Sequence, residues 1–176
     1  MLNGAVPTEI GSDTSDVDPV EPLSGPMATR LPLASSAERY QAKPGVAYEA
    51  GHDAAVATLA DGLLSLGLLK GSLESVLANG DYKRYYRHKT GHWLGLDVHD
   101  VGEYRIDGDS RLLEPGMVFT IEPGLYIPAD DASVPAKWRG IGIRIEDDVL
   151  VTRAGHQVLT GALERSADQT EALMAR

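Results

Sequence analysis

The chain has 176 residues, and its 16 Lys and Arg are outnumbered by 26 Asp and Glu, which gives a formal net charge of −10. This charge argues against a nucleic-acid or anionic-membrane partner, because phosphate binding needs clustered basic side chains. The absence of cysteine excludes disulfides, iron–sulfur clusters and cysteine nucleophiles. The longest apolar run, around Leu63 to Leu69, is too short to span a bilayer, and the first residues lack the pattern of a signal peptide. We therefore expect a cytoplasmic protein without a membrane segment.

The first 36 residues differ in composition from the rest of the chain. They hold five of the ten prolines and five acidic residues against the single basic residue Arg30, and they contain no aromatic residue. Such a segment has too little apolar surface to offset the entropy that ordering would cost. The sequence therefore predicts a disordered tail over residues 1–36 and one folded unit over residues 37–176.

The folded unit begins with a predicted amphipathic helix. Its apolar residues recur at helical spacing, namely Val56, Leu59, Leu63 and Leu66. Gly67 follows where a left-handed C-cap is expected. Ser72 is a suitable N-cap for a second, shorter helix that ends at Gly80. A third helix is predicted from Ser166 to Met174, opening with a capping-box spacing.

Strand patterns occupy the middle of the chain. Leu94, Leu96 and Val98 alternate with glycine and polar residues and predict a strand. Residues 114–116 predict a turn, residues 117–121 an apolar strand, and residues 122–124 a second turn.

A further alternating segment follows, in which the isoleucines at 141, 143 and 145 are predicted to share one face. Arg144 and Glu146 then lie together on the opposite face. Residues 147–148 predict a hairpin tip, with the chain returning through Val149 and Val151. Together with the helices, these strands predict an α+β fold class.

Three of the five histidines, His88, His92 and His99, lie within twelve residues of one another. Imidazole is the commonest metal ligand and can transfer protons near neutral pH. The spacing of His88 and His92 is that of a helical zinc pair, but Lys89 replaces the expected glutamate and residues 90–91 disfavour a helix, so that motif is excluded. Satisfied surface or core histidines are the alternative interpretation.

Two glutamates stand at the ends of apolar strands. Glu122 follows the strand at 117–121, and Glu146 follows the isoleucine strand. A carboxylate at such a position is costly to bury unless it is paired or bound to a cation. A turn cap for Glu122 and a surface ion pair between Arg144 and Glu146 are the alternatives. With one imidazole and no thiol, the two carboxylates suit manganese, cobalt, iron or zinc, and manganese is favoured where carboxylates dominate.

Three long blocks of sequence contain these candidate residues. They read His88-Lys-Thr-Gly-His92-Trp-Leu-Gly-Leu-Asp-Val-His99-Asp-Val-Gly, Leu-Glu-Pro-Gly-Met-Val-Phe-Thr-Ile-Glu122-Pro-Gly-Leu-Tyr-Ile and Gly-Ile-Gly-Ile-Arg144-Ile-Glu146-Asp-Asp. In order and spacing they strongly resemble the C-terminal half of the Xaa-Pro aminopeptidase (aminopeptidase P) family, over roughly residues 37–174. The resemblance implies a partial pita-bread fold, its second half only. It also implies release of the N-terminal residue from peptides with proline in second position.

The resemblance implies roles for the individual residues as well. Three positions match metal ligands of a centre that holds two Mn(II) ions when complete, or other divalent ions such as Co, Zn or Fe: His92, Glu122 and Glu146. Glu122 also matches the base that activates the bridging hydroxide. His88 and His99 match histidines that contact substrate and that stabilise the tetrahedral intermediate or shuttle protons in it. Arg144 matches an arginine that supports the metal ligands without binding the metal itself.

Two further ligands of the family are aspartates in an Asp-x-Gly stretch and a later Asp-x-Thr-Arg stretch, neither of which occurs in the first 80 residues. Asp13, Asp16 and Asp18 lack a flanking apolar strand and do not match. We therefore expect three of five ligands and no hydrolysis by this chain alone with Mn(II).

Three interpretations follow: a truncated product of an Xaa-Pro aminopeptidase gene, one chain of a two-chain enzyme, or a non-catalytic peptide-binding remnant. The full-length protein is expected to form a homo-oligomer.

Overall fold

The computed structural model describes residues 41–175. The predicted tail over residues 1–36 lies outside the described residues, and the domain boundary there stays a prediction. The elements follow in chain order as α1 Tyr48–Ser65, α2 Leu73–Asn79, β1 Arg105–Ile106, β2 Asp109–Ser110, β3 Val118–Ile121, β4 Gly124–Tyr126, β5 Gly142–Arg144, β6 Asp147–Thr152, β7 Gly155–Val158 and α3 Ala167–Met174. This mixture of helix and sheet confirms the predicted α+β class.

All three predicted helices are present. In α1 the apolar stripe is buried, and Gly67 takes the left-handed conformation after it, with φ of 72°. The Ser72 hydroxyl accepts a hydrogen bond from the amide of Ser75, and Gly80 ends α2 in the same left-handed conformation. Ser166 caps α3 by accepting from the amide of Gln169. Within residues 41–175 there is no helix with the length and apolarity needed to cross a membrane.

Four strands form a long antiparallel ribbon with one interruption. One side of the ribbon consists of β3 and β4, and the other side of β5 and β6. Strands β3 and β6 pair Ile121 with Asp147, and β4 and β5 pair Gly124 with Arg144. Both pairings share a single register, so the ribbon continues from one pair of strands to the other. The predicted turn at residues 122–124 is therefore wrong. Pro123 has no amide hydrogen and interrupts the ladder there, but the chain runs on in the same direction.

The two halves of this ribbon pack in two apolar clusters. Leu125 and Ile127 pack with Leu59, Leu63 and Val76 of the helices, and the isoleucines at 141, 143 and 145 join them. This confirms the predicted apolar face of the isoleucine segment. The other cluster gathers around β3 and β6 and contains Trp93, Phe119, Ile121, Val149 and Val151. The site described below lies where the ribbon passes from one cluster to the other.

The strand predicted over residues 94–98 is wrong. Backbone pairing with β3 stops at Leu94, whose amide donates to the Val118 carbonyl at 3.0 Å. Val118 is the first residue of β3. In the turn before it, the Gly116 amide donates to the Val151 carbonyl and not to residues 95–98. The chain therefore folds back into a loop, which leaves Leu96 fully exposed and Val98 70% exposed.

The hairpin tip predicted at residues 147–148 is also wrong. These two residues open β6 and pair with β3, and the reversal comes after Thr152, between β6 and β7. Asp147 can enter the core because its carboxylate accepts from the Arg165 guanidinium and, at 2.9 Å, from the Thr160 hydroxyl. A buried carboxylate with two such donors is satisfied inside the protein.

Candidate metal centre

Glu122 and Glu146 lie at the interruption of the ribbon, one on each strand. The register on either side places them opposite each other, and opposite residues of an antiparallel pair point to the same face. The Ile145 amide donates to the Pro123 carbonyl at 3.4 Å and keeps the strands together beside them. Like charges at such positions repel, so a cation close to both carboxylates would stabilise the pairing.

His92 lies close to these two glutamates but comes from the other edge of β3, the edge that does not pair with β6. Residues 90–94 run antiparallel to β3, and the Thr120 amide donates to the His92 carbonyl at 2.9 Å. The His92 Nδ1–H donates to the Trp93 carbonyl at 2.9 Å, while Nε2 lies 3.1 Å from Oε1 of Glu122. In that tautomer Nε2 and Oε1 are both acceptors, so a metal ion bound by both atoms would satisfy them.

The three predicted ligands come together. One ligand atom from each of His92, Glu122 and Glu146 lies within 4.8 Å of the others, and no second set of three or more such side chains meets this spacing in residues 41–175. We call these three residues the metal-ligand group. His92 and Glu122 are half-buried and Glu146 is exposed, so the group is open on one side. One imidazole and two carboxylates, with the second imidazole nitrogen tied to a carbonyl, fit a divalent cation.

Arg144 lies against both carboxylates. Its Nε is 3.8 Å from Oε2 of Glu122 and 3.8 Å from Oε2 of Glu146. Partial burial of its carboxylate raises the pKa of Glu146, repulsion from Glu122 raises it further, and the Arg144 charge opposes the shift. A surface pair of Arg144 with Glu146 alone therefore does not describe the arrangement.

His88 and His99 are placed differently from each other. The His99 ring is exposed and lies edge-on to the His92 ring, with 4.3 Å between their centroids. The His88 Nδ1–H donates to the Lys89 carbonyl at 2.7 Å, and the Tyr126 hydroxyl donates to its Nε2 at 3.0 Å. Neither histidine belongs to the metal-ligand group, but the structure holds His88 in a defined tautomer.

Several residues of this site were not predicted. Thr120 contacts two members of the metal-ligand group, and its spacing of two from Glu122 is the signal that would have placed both on one face. On the other side of residues 90–91, His52 of α1 lies 2.7 Å from the Thr90 hydroxyl, which lies 2.5 Å from the Tyr86 hydroxyl. A cavity of about 260 Å³ opens beside His52. Only the fold brings His52 to this position.

The sequence profile of Metallopeptidase family M24 matches residues 34–153, which is more than half of the chain. The chain belongs to metallopeptidase family M24. Family M24 membership implies a divalent metal, and the metal-ligand group is where three suitable side chains meet.

The M24 relatives of this chain include several aminopeptidases. Xaa-Pro aminopeptidase 2 of Streptomyces coelicolor is 45% identical over 174 residues, covering 93% of this chain and 36% of the relative. Xaa-Pro aminopeptidase of Escherichia coli is 51% identical over 119 residues, covering 68% of this chain and 26% of the relative. The chain thus spans about a third of the length of the first of these relatives.

Solved structures of M24 aminopeptidases match the fold. The structure of Pseudomonas aeruginosa aminopeptidase PepP has a TM-score of 0.82 and 46% identity, over 90% of this chain and 35% of that one. Zinc-substituted Escherichia coli aminopeptidase P in complex with product has a TM-score of 0.78 and 41% identity, over 85% of this chain and 34% of that one. These matches confirm the predicted resemblance and the partial pita-bread fold.

Proposed function

We propose that this chain supplies His92, Glu122 and Glu146 to the divalent-metal site of an aminopeptidase that releases the N-terminal residue from peptides with proline in second position. The observation that carries the proposal is the meeting of these three ligand atoms within 4.8 Å, with the Nδ1 of His92 already committed to a carbonyl. Mn(II) is the proposed ion, because carboxylates form the majority of the donor set.

Each side chain has a proposed task. His92, Glu122 and Glu146 would hold a divalent cation, which would supply polarisation of the scissile carbonyl and a nucleophilic water at neutral pH. Glu122 accepts the proton of the attacking water, and the Nε of Arg144 lies 3.8 Å from its carboxylate. His99 lies beside His92, and its proposed task is to contact the peptide. His88 accepts from the Tyr126 hydroxyl through Nε2, so the Tyr126 oxygen can in turn accept a hydrogen bond from a peptide amide.

Metal binding by the full 176-residue chain tests the ligand assignment. We expect calorimetric titration with Mn(II) or Co(II) to reveal one site, and His92→Ala, Glu122→Gln and Glu146→Gln each to weaken it at least about tenfold. His156→Ala, on β7, is the matched control for loss of an imidazole elsewhere. Ligand variants that bind as well as the unchanged chain would refute the assignment.

Activity needs a separate experiment, since neither aspartate motif occurs in the first 80 residues, where the family resemblance would place them. We expect no hydrolysis of an Xaa-Pro peptide by this chain alone with Mn(II). A chimera that carries residues 41–175 in place of the equivalent part of the Escherichia coli relative should be active, and its Glu122→Gln form inactive. A folded but inactive chimera would favour a non-catalytic peptide-binding remnant.

The remaining proposals concern the whole protein. Homo-oligomer formation at full length and a cytoplasmic location are proposed from the resemblance. Sedimentation of the active chimera, and fractionation of cells that produce the natural protein, are the measurements that test them.

A further inference from the structure

Thr120 occupies a central position in the metal-ligand group without being one of its ligands. It lies on β3, two residues before Glu122 and opposite His92, so all three side chains are on one face of the sheet. Its side chain is 1% exposed. A hydroxyl buried to this extent must find its hydrogen-bond partners within the protein.

The hydroxyl of Thr120 has two partners, and each belongs to a different member of the group. Its O–H donates to Oε1 of Glu122 at 3.0 Å. Its oxygen accepts from the backbone amide of His92 at 3.0 Å. Since a hydroxyl has one proton to donate, Glu122 receives it and the His92 amide uses a lone pair. The same atom thus holds the carboxylate of one ligand and the backbone of another.

Removing that hydroxyl would affect both ligands at once. The Glu122 carboxylate would lose a donor that fixes its rotamer, and the His92 amide would be left facing an apolar group. Partners that orient metal ligands commonly contribute about 10- to 100-fold to metal affinity.

We propose that Thr120 is a positioning residue, which orients His92 and Glu122 so that both can bind one divalent cation. This inference rests on the proposed function, because it takes these two residues as metal ligands. Thr120 itself contacts neither the cation nor the substrate.

The test compares Thr120→Val, which keeps the shape and removes the hydroxyl, with Thr120→Ser, which keeps the hydroxyl. Thr152→Val, at the end of β6, is the matched control. Co(II) affinity and the visible absorption of the Co(II) complex are measured for each full-length variant, together with hydrogen exchange of the His92 amide in the metal-free protein. Thr120→Ala serves as the hydroxyl deletion if Thr120→Val does not fold.

We expect Thr120→Val to bind Co(II) at least about tenfold more weakly with an altered absorption band, and Thr120→Ser to restore both. The His92 amide should exchange slowly in the unchanged chain and faster in Thr120→Val. Unchanged affinity and absorption in Thr120→Val would overturn the positioning role while leaving the metal site intact, and so would a rapidly exchanging His92 amide in the unchanged chain. Failure of the unchanged chain to bind Co(II) would overturn the proposed function and this inference with it.

Discussion

Glu122 and Glu146 face each other across an antiparallel ribbon at the one place where its ladder is interrupted. Two carboxylates opposite each other would ordinarily weaken a sheet. Here Arg144 lies 3.8 Å from each, and the Nε2 of His92 lies 3.1 Å from Glu122. The strand pairing therefore concentrates negative charge at a point where a cation can neutralise it.

Replacing Arg144 should change how metal binding depends on pH. Burial and Glu122 raise the pKa of Glu146, and Arg144 opposes them, so Arg144→Met should raise that pKa further. Protons would then compete with the metal at higher pH. We expect the ratio of Co(II) affinity at about pH 7.5 to that at about pH 5.5 to increase roughly two- to fivefold. Calorimetric titrations of both chains with Co(II) at the two pH values measure this ratio.

The control for this change is Arg153→Met, which removes an exposed arginine from the turn between β6 and β7. An Arg144→Met variant with the pH dependence of the unchanged chain would contradict the electrostatic role.

The raised pKa of Glu146 also predicts how the free energy of unfolding of the metal-free chain depends on pH. Because the pKa of Glu146 is raised, its contribution to stability is present below the usual value of 4.5 and is lost as pH rises through the folded-state pKa.

The buried pair of Asp147 and Arg165 should dominate the stability of the C-terminal segment. Asp147 is fully buried, so Arg165→Met would leave its charge in the core with the Thr160 hydroxyl as its remaining side-chain partner. We expect the free energy of unfolding in urea to fall by about 3 kcal/mol. The double variant with Asp147→Asn should recover part of this loss. A change below about 0.5 kcal/mol, the range of ordinary surface substitutions, would show that the pair contributes little.

Gly91 is required by the close approach of residues 90–94 to β3. A Cβ at this position would lie 1.8 Å from the carbonyl oxygen of Thr120. Gly91→Ala should therefore lower the free energy of unfolding by about 3 kcal/mol or more. Gly142→Ala, whose Cβ would meet Tyr126 at an ordinary 3.4 Å, is the control and should cost about 0.5 kcal/mol or less. Similar losses in both variants would contradict this account.

His52 should make the fold sensitive to acid. Burial lowers its pKa, and the charge of Lys89 lowers it further, against the nearby acids Asp53 and Glu49. With a lowered pKa, its contribution to stability is present above the usual value of 6.5 and is lost as pH falls through the folded-state pKa. His52→Gln should therefore reduce the loss of stability below pH 6.5, as measured by urea unfolding across that range. An unchanged pH dependence would refute this.

Local patterns predicted much of the fold. The helices were found because their apolar stripes and caps lie within one or two turns, as at Ser72 and Gly80. The alternation of the isoleucine segment predicted which face packs against the core. The strand at residues 94–98 was predicted wrongly because alternation does not reveal whether a partner strand extends far enough to pair with it.

The sequence by itself determined the chemistry available to this protein: one imidazole and two strand-end carboxylates, an arginine between them, and no thiol. Only the tertiary structure decided that Glu122 stands opposite Glu146, that His92 comes to them along the far edge of β3, and that Asp147 is a core residue and not a hairpin tip. The physical reason is that register and burial depend on which segments pair. That choice is made by contacts between residues far apart in the chain.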